Sequence, residues 1–261
     1  MSTFTTYLTI ANNLGRYQKM TAADPTVTQA TKYFQANIGK ITSADQFVKN
    51  TRLFNYAMTA FGLSDMTYAK TLIKKVLEQG TANSTALANK LNNPKILALA
   101  QAFNFSANGA STTTTAAATT DVVSKYVMQT LETNQGTQYP GVQLALYFQQ
   151  NASKITDGYS ILADSKLLSV VQTTLGISAY TSAENIDTQA KQFDRLLTYS
   201  DFKTPQKVQN FLERFTAQYD LNNPTATTSN AANLINLATG ATSGFSTDLL
   251  MSLQTFKLGG A

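Results

Sequence analysis

Residues 33–63 read YFQANIGKITSADQFVKNTRLFNYAMTAFGL, and residues 147–177 read YFQQNASKITDGYSILADSKLLSVVQTTLGI. Set against each other without a gap, at an offset of 114, ten of the 31 positions are identical. They are Tyr33/Tyr147, Phe34/Phe148, Gln35/Gln149, Asn37/Asn151, Lys40/Lys154, Ile41/Ile155, Thr42/Thr156, Leu53/Leu167, Thr59/Thr173 and Gly62/Gly176. Several others exchange one apolar residue for another, as at Phe54/Leu168 and Phe61/Leu175. An ungapped YFQxNxxKIT occurring twice reads as an internal duplication.

Each copy carries the grammar of a helix pair. In the first, residues 42–46 (TSADQ) offer a capping hydroxyl followed three residues later by Gln. Phe47, Val48, Phe54, Ala57, Met58 and Phe61 then recur at helical spacing as one apolar stripe. Gly62 stands where a left-handed terminating residue belongs, with Leu63 placed to fold back on the last turn. The second copy repeats this with Thr156 as cap, Ile161, Leu162, Leu168, Val171 and Leu175 as stripe, and Gly176 and Ile177 as stop.

Outward from these stretches the pattern stays helical. Met66, Ala69, Leu72, Ile73, Val76 and Leu77 form the next stripe, closed by Gly80. Its counterpart starts at a capping box in residues 181–184 (TSAE) and runs through Ile186, Ala190, Phe193, Leu196 and Leu197. Asp24-Pro25, Asn93-Pro94 and Thr204-Pro205 each place proline in a first turn behind a capping residue. Period-2 alternation is absent outside the loops, so the expected class is all-α: two tandem duplicated helical units joined by a Thr/Ala-rich linker. The expected divisions are 1–105 for the first unit and 106–120 (SANGASTTTTAAATT) for a flexible join. The second unit then spans 121–221, and 222–261 is a flexible region ending in a short amphipathic helix. Both chain ends are amphipathic, and Phe4, Tyr7, Leu8, Leu249, Leu250, Leu253 and Phe256 are the candidate partner-binding residues.

Composition narrows the chemistry. The 261 residues include no Cys, His or Trp, which excludes disulfides, thiolate nucleophiles, Cys/His zinc sites and imidazole catalysis. Charged residues make up 13%, about half the usual share. Thr, Ser, Asn and Gln fill 96 positions, so uncharged polar groups do most of the solvating. The net charge of +5 is mild and its Lys and Arg are spread along the chain. The densest group, Lys70, Lys74 and Lys75 with Glu78 close by, reads as a solvated helix face, not a nucleic-acid patch. Acids cluster near helix starts, where the dipole favours them. The pairs Asp187/Asp194 and Asp194/Asp201, each about two turns apart on one helical segment, are no convincing acid–base pair. Phosphate-binding glycine loops and calcium loops are missing. The expectation is no enzyme, no catalytic residues, no metal, no cofactor and no small-molecule substrate. No window reaches the roughly 20 apolar residues of a membrane span, and residues 1–16 lack the pattern of a cleavable signal. Synthesis in the cytoplasm is expected, with any export by a signal-less route.

The repeated YFQxNxxKIT, the FxxxxxxFxYAMxAFGL of residues 47–63 and the AKxLIKKVLxxG of residues 69–80 resemble the bacterial domain of unknown function 1217. The resemblance covers roughly residues 20–105 and, more weakly, 130–221. In the second copy Val170 and Val171 replace Tyr56 and Ala57. The resemblance implies a flagellar association, since such proteins are encoded in or near flagellar gene clusters, and it supplies no catalytic residues. Its members often carry more than one copy. Low charge and missing Cys lean the same way, towards a non-enzymatic structural or assembly-accessory protein acting through helix-mediated contacts. Its expected partners are other flagellar proteins or copies of itself, with no nucleic acid and no membrane insertion. The alternative is a cytoplasmic adaptor or export chaperone for a flagellar subunit.

Overall fold

The structure is a computed structural model that describes residues 2–178 and 184–224. Among these the chain forms fifteen α-helices, several short 3-10 turns and no strand. The helices are α1 (Thr3–Ala11), α2 (Leu14–Ala23), α3 (Pro25–Ile38), α4 (Ala44–Lys49) and α5 (Thr51–Ala60). Then come α6 (Lys70–Gln79), α7 (Leu87–Lys90), α8 (Pro94–Ala102), α9 (Phe105–Asn108) and α10 (Thr120–Gln138). The last five are α11 (Pro140–Asn151), α12 (Gly158–Leu162), α13 (Ser165–Leu175), α14 (Ile186–Leu196) and α15 (Pro205–Asn222).

The two matching stretches make matching local bonds. The Asn37 side chain donates to the Tyr33 carbonyl at 2.8 Å, and Asn151 to the Tyr147 carbonyl at 2.9 Å. Lys40 Nζ reaches Asn37 Oδ1 at 3.1 Å, and Lys154 Nζ reaches Asn151 Oδ1 at 2.9 Å. The stripes are broken once each, at the same relative place. Asn50 caps α5 by accepting from Leu53 N–H, and Asp164 caps α13 by accepting from Lys166 and Leu167 N–H. Each apolar stripe is therefore carried by two short helices, because a capping side chain stands in the middle of it. Gly62 and Gly176 both end their helices at φ +66°, and the following N–H of Leu63 or Ile177 reaches back to Met58 or Gln172 carbonyl at 2.8 and 2.9 Å. That is the Schellman closure the pattern predicts. The first cap is Ser43 and the Gln46 side chain turns back to Thr42, but in the second stretch Asp157, not Thr156, is the cap. Aspartate accepts the N–H of Ser160 at 2.7 Å and outcompetes the hydroxyl beside it.

Two apolar cores result. The first is built around Phe34, Phe47, Phe54, Phe103 and Leu77. The second surrounds Phe148, Val171, Phe193, Leu212 and Phe215. Their boundary departs from the expected one in three ways. α1 belongs to the second core: Tyr7 and Ile10 are buried there, and α1 packs on α11 and α15. Asp220 fixes it, accepting from Thr3 N–H at 2.9 Å and Phe4 N–H at 3.0 Å, so an acid sits on the helix N-terminus as the dipole favours. Gly141 permits the close approach, since a Cβ there would come within 2.7 Å of both Tyr219 and Thr3 side-chain carbons. Second, residues 106–120 are not a loose join. They form 3-10 turns in which Thr112, Thr113 and Ala118 are buried, and Thr113 Oγ1 donates to the Ile41 carbonyl at 2.7 Å. Third, α10 serves both cores, giving Val122 and Tyr126 to the first and Met128 and Leu131 to the second.

α14 also differs from its expected stripe: Ala190 and Phe193 are buried, whereas Ile186 and Leu196 are exposed. Its described cap is Asn185, while most of the expected box at 181–184 lies outside the described residues. Asp201 sits in the 3-10 turn Tyr199–Lys203, off the helix that carries Asp187 and Asp194. Of the expected flexible region 222–261, residues 222–224 are described, with Asn222 closing α15, and the rest with its C-terminal helix lies outside the described residues. No helix among the described residues is long and apolar enough to cross a membrane.

Candidate functional site

A cleft of about 770 Å³ opens between the two cores. One wall is the end of α5 with α7 and the start of α8; the floor is the middle of α10; the far wall comes from α11, α12 and α13. The cap–proline pair Asn93-Pro94 sets one rim: Asn93 accepts from Lys95 and Ile96 N–H and aims the first turn of α8 at the cleft.

Ionisable groups from separate stretches of sequence meet here, which the even spread of charge along the chain does not announce. Glu132 of α10 is fully buried and holds Lys166 Nζ at 2.7 Å, while its second oxygen accepts from the Gln150 amide at 3.3 Å. The Tyr147 hydroxyl donates to Asp164, whose other oxygen is the cap of α13. Burial first, and the carboxylate partner second, push the Tyr147 phenol well above the ordinary tyrosine range. The Lys95 and Lys166 ammonium groups lie over the Tyr147 ring at 5.1 and 4.6 Å, and Lys125 lies over Phe61 at 5.7 Å. Lys154 reaches Asn151, and burial together with the nearby charge of Lys125 depresses its proton affinity. Asp157 is held below the usual carboxylate range by the hydroxyl and N–H of Ser160.

These residues were not legible as a site. Glu132, Lys166 and Lys95 share no motif, and only the packing of α8, α10 and α13 brings them together. One signal is in the spacing: Tyr147 and Asp164 are 17 apart, as are Tyr33 and Asn50, and the latter pair makes a similar contact, with Tyr33 Oη at 3.4 Å from Asn50. The Asp pairs singled out in the sequence carry structural bonds. Asp187 accepts from Tyr159 at 2.8 Å, Asp194 from Gly158 N–H at 2.9 Å and Tyr199 at 2.6 Å, and Asp201 pairs with Lys207 at 2.7 Å. Lys74 is engaged by Asp45 and Glu78, and Lys70 by Thr51. Among the candidate partner-binding residues, Tyr7 is core and Phe4 and Leu8 are half-buried against the same fold. Leu249, Leu250, Leu253 and Phe256 lie outside the described residues. No group of three acidic side chains able to hold a metal occurs among the described residues.

The family described as a protein of unknown function, DUF1217, matches residues 60–208. The chain belongs to this family. The match to DUF1217 runs once, across residues 106–120 and the whole cleft, and not once per copy as the resemblance at 20–105 and 130–221 had it. A solved relative of this DUF1217 protein is the crystal structure of protein AGR_C_984 from Agrobacterium tumefaciens, a structural genomics target. It is 38% identical with a TM-score of 0.80, over 86% of this chain and 97% of that one. No curated protein matches.

Proposed function

We propose that this protein is a non-enzymatic structural or assembly-accessory part of the bacterial flagellum, working through helix-mediated contacts with other flagellar proteins or with its own copies. The observation that carries the non-enzymatic reading is the state of the acids in the cleft. Both oxygens of Glu132 and both of Asp164 are taken by neighbours within the fold. General acid–base work needs a carboxylate within reach of a substrate proton, and these two are spent on holding α10, α11 and α13 together. The flagellar reading rests on the family resemblance and on a low-charge, cysteine-free chain suited to signal-less export and to packing in assemblies.

The paired bonds of residues 33–63 and 147–177 support a tandem copying of one helical module, with residues 106–120 at the join. Once copied, the module has diverged into a single body, since α1 and α10 are shared out across the halves. Deleting the gene is expected to impair motility with a visible hook or filament defect, and normal motility with normal hooks and filaments rejects the reading. Fractionation separates the roles: a structural part is recovered with sheared filaments, whereas an export adaptor stays in the cell.

A further inference from the structure

Donors and acceptors in the cleft are unequally used. The acids are committed: Glu132 to Lys166 and Gln150, Asp164 to Tyr147 and two backbone N–H groups, Asp157 to Ser160. The lysines are not. Among the described residues Lys95, Lys125 and Lys154 make no ion pair. Lys95 and Lys125 rest only on ring faces, and Lys154 spends one of its three N–H donors on an amide. Ammonium groups brought together in a half-enclosed space repel one another, and an anion placed among them relieves that repulsion. Burial first and the charge of Lys125 second lower the proton affinity of Lys154, with Asp164 opposing them, so this repulsion is felt at Lys154. Around the lysines the walls are apolar at Phe61, Leu97 and Ile155. A half-enclosed volume of this size, with apolar wall segments among many polar and charged groups, has room for a small organic molecule.

We propose that the cleft binds a small organic anion, its carboxylate or phosphate group held by Lys95, Lys125 and Lys154 and its apolar body laid against Phe61 and Leu97. The ligand is bound and not transformed, so the site goes beyond the flagellar reading and stands or falls without it. The test is an NMR titration of the full chain with phenyl phosphate, benzoate and neutral benzyl alcohol, following the backbone amides of Lys95, Lys125 and Asn151. Both anions, or one of them, should shift these signals saturably while benzyl alcohol does not. The tighter of the two identifies the headgroup as phosphate or carboxylate. Lys125→Gln/Lys154→Gln should weaken binding by about tenfold or more, and Lys75→Gln, on the exposed side of α6, should leave it unchanged. Lys95→Gln alone carries the same comparison should the double variant fail to fold. Equal shifts from benzyl alcohol, no saturation at these amides with either anion, or wild-type affinity in the folded lysine variants overturns the proposal.

Discussion

Taking the Glu132 carboxylate out of water costs several kcal/mol, and Lys166 and Gln150 are the groups that offset it. Lys166→Met removes the cation and leaves the carboxylate with one amide. Because Lys166 keeps 31% of its side-chain exposure, the loss should fall below the roughly 3–5 kcal/mol that breaking a fully buried pair costs, at about 2–3 kcal/mol in urea unfolding. The double variant Glu132→Gln/Lys166→Met should recover most of it, and an unshifted midpoint in the single variant would show that the pair does nothing for stability. Tyr56 gives a pH-dependent counterpart. Stacked between Phe34 and Tyr126 and bonded to Thr31, its phenol is pushed by burial up to about 12 from 10.0. A raised folded value means that the contribution is intact below pH 10 and declines as pH rises from 10 through 12. Unfolding midpoints at pH 9 and 11.5 should therefore differ less in Tyr56→Phe than in wild type. Helical spacing puts Phe54 and Ala57 on the apolar stripe but leaves Tyr56, which stacks on Phe34 and Tyr126, off it. The Glu132–Lys166 pair was invisible in the sequence because the two residues lie 34 apart on helices that only the fold brings together.

At the scale of elements, starts and stops were the most readable feature, since capping and termination are decided by a few adjacent residues. Asp24, Ser43 and Asn93 cap where their sequences place them. The sequence is ambiguous where two capping side chains adjoin, as at Thr156 and Asp157, and where one interrupts an apolar stripe, as at Asn50 and Asp164. The helix stops allow a paired experiment. Gly62 and Gly176 share φ +66°, so alanine at either position meets the left-handed penalty of about 1–2 kcal/mol. A Cβ at Gly176 meets nothing within 4 Å, whereas at Gly62 it meets Gln129 Oε1 at 3.2 Å. Gly62→Ala should thus cost as much as Gly176→Ala plus whatever moving Gln129 demands, and thermal denaturation of the two variants should rank them in that order. The reverse order would mean that the α5–α10 contact yields more easily than the open end of α13.

For the molecule as a whole, periodicity and self-similarity established the helical class but misplaced the divide, because neither says which face a helix shows to which partner. Cutting the chain at residues 106–120 looks harmless when that stretch is read as a flexible join. In the fold it separates the first core from Val122 and Tyr126 of α10, and parts α1 from α11 and α15. It also leaves α2 without α10, where Gln18 reaches Met128 Sδ at 3.4 Å. A fragment of residues 2–118 would then expose Tyr56, which loses the ring stacked on it at 3.8 Å, along with the face of α1 that carries Tyr7 and Ile10. Both faces are large and apolar, and a half-core of this size has little stability to spare. The fragment alone is expected to show helical circular dichroism without a cooperative melt, and to regain one when mixed with residues 119–261. A sharp, independent transition in the isolated 2–118 fragment would mean that the halves fold as separate units after all and that α10 only rests against the first of them.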